Sequence, residues 1–465
     1  MRRRLPFILL ALVVLTSFGL NARVAANPRS AYESEDERAY GKLAVNIADQ
    51  HAYGGYSTHM KEPRRWPPGA PLLFAAGYKL FGSPDEAKSF DIRAVYWEQA
   101  ILTTGTTALA GVLVWLLAGP WAAVLAAALV GTYPPLIGAT GDQLSEPLGA
   151  FLVIAAFTVL AFAVRRRAVW WWAGAGAVFG LAVLTRADLL PVPFAVAGLG
   201  ALIVLVRERA WRRALLTWGT VAAATVVVLA PWTIYASRAE HQFIPVTKGS
   251  PAALFVGTYL PGGGTTVGMK RALEPELRAK HPGFRDTKVS MIPATFALKI
   301  IADRHPGMPR DEALQREARH NLFHYPRTQP LAFAKMQWAK AKRMWLFYYR
   351  GGGVHYISTA MRIWQVVLVL GCGAGLLFGL IRRRDPVLGA ILLTIALSTA
   401  VHTIVVSQAR YNLPLMPALI AGGVAGWWLG LRRAPGPSPS PATIHEWSSD
   451  RSASGTAPAG AASTS

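Results

Sequence analysis

The sequence has 465 residues, of which 52% are apolar (AVILMFWYC) and 16% are charged, and its mean hydropathy is +0.30. This composition excludes an ordinary soluble domain, because several runs of about 17 to 25 residues are apolar enough to cross a bilayer as helices. A net charge of +23 would favour nucleic acid in a soluble protein. Here the arginines stand at the ends of apolar runs, so the charge indicates membrane topology and no nucleic-acid partner.

Ten apolar runs predict an all-α, multi-pass membrane protein. The first run, residues 5–25, follows Arg2, Arg3 and Arg4 and is predicted to be a retained span, with a cleaved signal peptide as the alternative. Arginine clusters then fall on the cytoplasmic side, which predicts a protein of the cell membrane with both termini in the cytoplasm. The other nine predicted spans are residues 92–118, 120–140, 146–164, 169–185, 188–206, 214–236, 360–380, 386–406 and 411–431.

The first outer loop, residues 26–91, is predicted to carry two helices that do not cross the membrane. Residues 36–50 place Tyr40, Leu43 and Ile47 at helical spacing, which predicts a short amphipathic helix on the bilayer surface. Residues 71–81 are apolar but fall below the ~17 residues that a span needs, so they predict a second surface helix or a re-entrant helix.

A second outer segment follows the seventh span and is far longer than a plain connection. Its last part alternates aromatic residues with Lys335, Lys340, Lys342 and Arg343, which predicts an interfacial helix whose bases face lipid phosphates. The predicted division of the chain is an N-terminal transmembrane module (1–236), an extracytoplasmic segment (237–359), C-terminal transmembrane helices (360–431) and a disordered cytoplasmic tail (432–465).

Ionisable residues cluster on the outer side in this topology. They stand at the outer ends of the spans or in the first outer loop, so scattered positions of the chain converge on one face. Structural explanations exist for several of them: acids at a helix start stabilise its positive end, and Arg186 can pair with Asp188. The candidate site residues are Glu35, Asp36, Glu37, Arg64, Arg65, Asp142, Glu146, Arg186, Arg410 and Tyr411.

The sequence predicts no cofactor and leaves a bound divalent cation open. Cys372 is the only cysteine, so a disulfide within the chain and a thiolate metal site are excluded. His402 lies in an apolar span with no second histidine at ligand spacing, which favours a structural histidine. Gly262 to Gly264 lack the strand and helix that flank a phosphate-binding loop.

Several stretches resemble one family when they are taken in order: SEDERAY, RRWPPGAPLLFAAGYKLFG, GDQLSEPLGAFLVIAAF, GAVFGLAVLTRADLL, APWTIYASRAEHQFIPVT and ARYNLPLMPALIA. Together they resemble the GT-C membrane glycosyltransferases, in the family 39-like branch of protein O-mannosyltransferases and lipid A aminoarabinose transferases. The likeness extends over about residues 5 to 430. The resemblance implies an inverting transferase that takes a sugar from a polyprenyl-phosphate lipid.

The resemblance also implies roles for single residues. The acidic residue that acts as base or orients the acceptor falls on Asp36, with Glu37 beside it. The lysine or arginine that holds the lipid phosphate before the double proline is replaced by Trp66, so Arg64 and Arg65 are the substitutes. The implied partners are the lipid-linked sugar and an extracytoplasmic glycan, lipid or protein. A transporter or flippase of envelope lipid precursors is the alternative, and a non-catalytic scaffold is a third reading.

Overall fold

The computed structural model describes residues 4–27, 34–50, 53, 63–81, 93–349 and 358–432. All regular structure in this part of the chain is helical, which confirms the predicted all-α fold. The prediction of a disordered tail over residues 432–465 falls outside the described residues, apart from Arg432.

The N-terminal half contains one long apolar helix, two short helices and then a series of apolar helices. Several of them begin at proline, which lacks the amide hydrogen that a first helical turn leaves unpaired. The helices are α1 (Leu5–Ala25), α2 (Glu35–Gln50), α3 (Gly69–Phe81), α4 (Arg93–Ala118), α5 (Pro120–Gly131), α6 (Pro134–Ala139), α7 (Glu146–Arg166), α8 (Val169–Thr185), α9 (Pro191–Glu208), α10 (Trp211–Ala214) and α11 (Thr220–Glu240).

The C-terminal half contains six helices of the long second segment and three apolar helices. They are α12 (Pro251–Thr258), α13 (Thr266–Ala272), α14 (Glu274–Lys280), α15 (Ala294–Ala302), α16 (Arg310–Thr328), α17 (Pro330–Leu346), α18 (Thr359–Arg383), α19 (Pro386–Ile404) and α20 (Met416–Leu431). Several connections between the helices are short 3-10 helices, and a π-helical turn at Leu215–Gly219 joins α10 to α11.

Ten apolar helical stretches match the ten predicted spans. Within the described residues, seven are long and apolar enough to cross a membrane, and α5, α8 and α20 are shorter apolar helices. The predicted span at 120–140 is interrupted after Gly131, because Pro134 and Pro135 cannot donate the hydrogen bonds that would continue α5. The chain is a multi-pass membrane protein, as predicted.

The two helices predicted in the first loop are present as α2 and α3, and they pack on each other. Tyr40 and Ala44 of α2 share a buried apolar cluster with Phe74 and Tyr78 of α3. With 13 residues α3 is about 20 Å long, which is too short to cross the hydrocarbon layer. These two helices therefore form a packed layer with its own apolar contacts.

Close contact between α18 and α20 depends on glycine. A Cβ atom at Gly379 would lie 2.3 Å from the Cα of Gly426, and one at Gly375 would lie 2.4 Å from the carbonyl oxygen of Gly423. Small residues four apart allow membrane helices to approach in this way. These glycines allow α20, which follows the turn Ala409–Asn412, to pack directly on α18.

The second outer segment has an apolar core of its own. Phe255, Met269, Leu277, Ile301 and Leu314 are buried together, and they come from five helices between α12 and α16. This packing explains why a segment of such length is not a plain connection.

The prediction that Lys340 faces lipid phosphates is wrong. Lys340 of α17 is fully buried, and its Nζ donates to the carbonyl oxygens of Gly257 (2.6 Å), Thr403 and Ile404 (3.4 Å). Burial, together with the charge of Arg343, lowers the pKa of Lys340 to about 7. Lys340 therefore joins α12 to the end of α19.

Candidate active site

A cleft of about 500 Å³ lies where α2, the turn before α3 and the ends of α8 and α19 meet. Six of the ten predicted site residues line it, which are Asp36, Arg65, Glu146, Arg186, Arg410 and Tyr411. Its wall also includes Tyr40, Trp66, Asp188, Ser250 and His402, and an apolar part formed by Pro67, Ala253, Val405 and Val406. The predicted convergence of these residues is thus present in the fold.

A chain of ion pairs crosses the cleft. Arg410 pairs through Nη2 with Asp36 Oδ2, and its Nε lies 3.7 Å from Glu146 Oε1. The same Glu146 oxygen lies 3.5 Å from Arg186 Nη1, and Arg186 Nε donates to Asp188 Oδ1 at 3.1 Å. Burial opposes the charge of Arg410, but the carboxylates of Glu146 and Asp36 outweigh burial and raise its pKa.

His402 extends this chain at its far end, and sequence reasoning placed it outside the site. Its Nε2 lies 3.2 Å from Asp188 Oδ2, and its ring stacks on Tyr411 with 4.6 Å between centroids. Arg186 and Arg410 also lie over the Tyr411 ring, at 5.7 and 5.6 Å. The signal that could have found His402 is the presence of an ionisable ring inside an apolar span.

Asp36 is the more accessible end of the chain of charges. Its side chain is 39% exposed, whereas the side chain of Arg410 is 13% exposed. The indole Nε1 of Trp66 lies 3.4 Å from Asp36 Oδ1, and the Trp66 carbonyl accepts a hydrogen bond from the Tyr53 hydroxyl at 2.9 Å. Asp36 therefore presents a carboxylate to the cleft that is oriented from two sides.

Glu37, predicted beside Asp36 as a catalytic residue, does not line the cleft. Its Oε2 accepts from the Ser34 amide at 3.0 Å, and the Glu37 amide donates to Ser34 Oγ at 3.2 Å. This reciprocal pair is a capping box at the start of α2. The Glu37 Oε1 atom accepts a hydrogen bond from the backbone amide of Gln143 at 3.2 Å. Glu37 therefore positions α2 against the loop before α7.

Arg64 and Arg65 have different surroundings despite their adjacent positions. Arg64 Nη1 donates to Glu240 Oε1 at 2.8 Å, and its guanidinium lies over the Tyr235 ring, outside the cleft wall. Arg65 lines the cleft and donates from Nη2 to the Ser250 hydroxyl at 2.8 Å. Within the described part of the chain, Arg65 has no carboxylate at ion-pair distance. Its charge is available to an anion.

Asp142 lies near the cleft but outside its wall. Its Oδ2 accepts from the Tyr349 hydroxyl at 2.8 Å, and its carbonyl oxygen accepts from Gln99 Nε2 at 2.5 Å. Asp142 thus connects the loop before α7 to the second outer segment. Glu35 begins α2, and its side chain is outside the described residues.

The carboxylates of the cleft face arginines in the described part of the chain. No group of three or more His, Cys, Asp or Glu residues among residues 4–27, 34–50, 53, 63–81, 93–349 and 358–432 could hold a metal ion. Asp36, Glu146 and Asp188 each face an arginine, which repels a cation. Among the described residues, the carboxylates of the cleft are thus paired with arginines.

Residues 65–235 match the family model described as dolichyl-phosphate-mannose-protein mannosyltransferase. No curated protein matches the chain in a sequence comparison.

Among solved structures, the fold is similar to the archaeal oligosaccharyltransferase AglB from Archaeoglobus fulgidus in complex with an inhibitory peptide and a dolichol-phosphate. That match has a TM-score of 0.53 and 15% identity, and covers 98% of this chain and 53% of that one. The same enzyme tethered to an acceptor peptide matches with a TM-score of 0.52 and 15% identity, covering 92% of this chain and 49% of that one. ArnT from Cupriavidus metallidurans bound to undecaprenyl phosphate matches with a TM-score of 0.40 and 16% identity, covering 90% of this chain and 77% of that one.

The chain spans about half the length of the oligosaccharyltransferase structures that it matches. At this identity the likeness shows the fold, and the family model adds a matched segment that runs from Arg65 in the cleft to Tyr235 in α11. The resemblance to the GT-C glycosyltransferases is thereby confirmed for the fold: the chain is a multi-pass membrane protein with a GT-C-like fold, and its residues 65–235 match the model of the dolichyl-phosphate-mannose-protein mannosyltransferase family.

Proposed function

We propose that this protein is an inverting glycosyltransferase that moves a sugar from a polyprenyl-phosphate lipid to an extracytoplasmic glycan, lipid or protein. The observation that carries the proposal is the pair of Asp36 and Arg410 at the mouth of a cleft located at the ends of apolar helices. We also propose that the cleft faces outward from the cell membrane, with both termini in the cytoplasm.

The position of the cleft suits a lipid-linked donor. A polyprenyl chain stays in the hydrocarbon layer, so its phosphate and sugar can be reached only where helices end. Thr185 and Arg186, at the end of α8, and Val405, directly after α19, line the cleft. The donor would therefore meet apolar and charged groups at the same depth.

The chemical step needs a proton acceptor and an anion-stabilising group. In the proposed reaction, an oxygen or nitrogen of the acceptor attacks the anomeric carbon while the bond from that carbon to the phosphate oxygen breaks. The acceptor's proton passes to the Asp36 carboxylate, and the leaving phosphate keeps the electron pair. Attack from the side opposite the phosphate inverts the anomeric centre. No step is assigned to a metal ion.

Arg65 is the proposed contact for the donor phosphate, and Arg186 and Arg410 complete the positive field. Arginine suits this role because its planar group can donate two hydrogen bonds to one phosphate. Arg65 is held by a neutral hydroxyl, whereas Arg64 is already paired with Glu240. This difference favours Arg65 over Arg64.

The dolichol-phosphate in the archaeal structure and the match to a dolichyl-phosphate-mannose family support a lipid-phosphate donor. A flippase would move such a lipid without breaking a bond, and a scaffold would need no carboxylate at all. Formation of a glycosylated product by the purified protein separates transfer from both alternatives.

The decisive experiment compares two substitutions on one helix. Asp36→Asn keeps the size of the side chain but cannot accept the proton, so turnover should fall by about a hundredfold to ten-thousandfold with little change in donor affinity. Asp49→Asn, at the exposed far end of α2, is the matched control and should turn over like the wild type. Wild-type turnover in Asp36→Asn would refute the proposal.

A further inference from the structure

A second cavity, of about 750 Å³, lies at the other end of the helices that form the cleft. Helix α8 starts at Val169, which lines this cavity, and ends at Thr185, which lines the cleft. Its 17 residues rise about 26 Å, which is most of the ~30 Å thickness of the hydrocarbon layer. The two sites therefore belong to opposite faces of the membrane, whichever face is outside.

Four arginines line the second cavity, namely Arg167, Arg207, Arg213 and Arg384, together with one carboxylate, Glu208. Glu208 pairs with Arg213. Across the described residues, the other three arginines have no carboxylate at ion-pair distance. The cavity wall thus presents three arginines that are free of direct ion pairs with the described residues.

Two of these arginines occupy backbone positions that favour glycine. Arg167 ends α7 with a φ of 56°, and Arg384 ends α18 with a φ of 51°. A glycine would keep the closing hydrogen bond of each helix at a lower conformational cost. Arg209 has the same conformation at the end of α9 but does not line the cavity, so it provides a matched control.

The inner wall of the cavity is apolar and contains an unpaired donor. Trp172 and Trp218 meet edge to face at 4.8 Å, and Gly200 leaves room for Trp218, because a Cβ there would lie 2.1 Å from its ring. The indole Nε1 of Trp172 is buried and has no hydrogen-bond partner among the described residues. Trp218 stands in the π-helical turn, a feature that is frequent at functional sites.

The rim of the cavity faces the bilayer. Val169 is 52% exposed and Leu216 is 63% exposed in the protein alone. Apolar side chains with this exposure on a membrane helix are in contact with lipid. A soluble anion would contact only the arginines at the mouth of the cavity. A lipid would fill both the charged mouth, with its head group, and the apolar interior, with a hydrocarbon chain. Basic pockets between membrane helices bind the head groups of anionic lipids in this way.

We propose that this cavity is a binding site for an anionic membrane lipid, with the lipid phosphate held by Arg167, Arg207 and Arg384 and one hydrocarbon chain lying along Ile203 and Val204. The volume lies within the ~300–1,000 Å³ of ordinary ligand pockets. The site is separate from the cleft and does not depend on the function proposed for it.

The test is native mass spectrometry of the purified full-length protein, titrated with dioleoyl phosphatidylglycerol, with dioleoyl phosphatidylcholine and with inorganic phosphate. One triple variant carries Arg167→Gln, Arg207→Gln and Arg384→Gln. The control triple variant carries Arg165→Gln, Arg209→Gln and Arg382→Gln, which removes equal charge from the ends of the same three helices without touching the cavity wall. Thermal unfolding of both variants verifies that they are folded.

Phosphatidylglycerol should bind the wild type and the control, and should bind the cavity variant at least about tenfold more weakly, as expected for lost charge-assisted hydrogen bonds. Val204→Trp, which fills the apolar part, should also weaken phosphatidylglycerol binding. Equal weakening in both triple variants would overturn the proposal, because it would indicate diffuse electrostatic attraction. Equal affinity for inorganic phosphate, with no effect of Val204→Trp, would overturn it in favour of a soluble anion. Equal affinity for phosphatidylcholine would also refute it.

Discussion

The cleft and the arginine-lined cavity occupy opposite ends of α7 and α8, and they differ in how their charges are matched. In the cleft, Arg186 and Arg410 each meet two carboxylates. In the cavity, Arg213 has a carboxylate partner and the other three arginines have none among the described residues. Matched charges hold one another in a fixed geometry, which suits chemistry, whereas unmatched charges attract an anion from outside.

The largest expected effect is an all-or-none difference in labelling, which tests the face of the membrane on which each of the two sites lies. In a Cys372→Ala background, Phe243→Cys should react with an impermeant maleimide added to intact cells, because Phe243 is 80% exposed and belongs to the predicted outer segment. Arg166→Cys, at the cavity end of α7, should react only after the membrane is permeabilised. Labelling of residue 166 in intact cells would reverse the assignment of the two faces.

The next largest effect should come from breaking the matched charges of the cleft. Arg410→Gln leaves Asp36 and Glu146 without their shared cation, and removes a donor close to the developing phosphate charge. Turnover should fall by about a hundredfold to a thousandfold, the range for loss of one transition-state donor. Arg382→Gln, at the other membrane face, should leave turnover unchanged. Normal turnover in Arg410→Gln would show that the pairing has no catalytic use.

The comparison also separates two adjacent arginines. Arg65→Gln should weaken binding of undecaprenyl phosphate by about 1.5 to 3 kcal/mol, the range for a charged hydrogen bond. Arg64→Gln should instead lower the melting temperature, because it leaves Glu240 without its closest cation, and should keep the donor affinity. If Arg64→Gln weakens lipid binding and Arg65→Gln does not, the assignment of the phosphate contact is wrong.

The smallest expected effect is a pH dependence of the free energy of unfolding, caused by Lys340 near the cleft. The pKa of Lys340 is about 7 in the folded protein and ~10.4 in an unfolded chain. Between these two pH values the unfolded chain binds more protons than the folded protein. The free energy of unfolding should therefore increase as the pH rises from about 7 towards 10. The melting temperature of the wild type should therefore rise by a few degrees more than that of Lys340→Met between about pH 7.5 and pH 9.5. Parallel curves would remove Lys340 from this role.

The spans could be predicted from sequence because each one carries its own signal. An apolar run of sufficient length specifies a membrane helix locally, and arginines mark its ends. The positions of Asp36, Glu146, Arg186 and Arg410 at one end of the bundle followed from that topology alone.

The partners of single side chains could not be predicted in the same way. Arg64 and Arg65 differ because Glu240 lies 176 residues further along the chain from Arg64. The carbonyl acceptors of Lys340 are 63 to 83 residues away. Glu37 is an exception, because Ser34-x-x-Glu37 is a capping-box pattern that can be read locally, although the adjacent Asp36 favoured a catalytic pair.

The short helices have a consequence for the membrane around the protein. At 17 and 16 residues, α8 and α20 span about 26 and 24 Å, less than a hydrocarbon layer of about 30 Å. A bilayer responds to such mismatch by becoming thinner next to the helices, at a modest cost for each ångström. Thr185 ends α8, Tyr411 lies in the turn that precedes α20, and both line the cleft. Thinning there would bring lipid head groups towards the cleft, so activity should be higher in bilayers of short acyl chains.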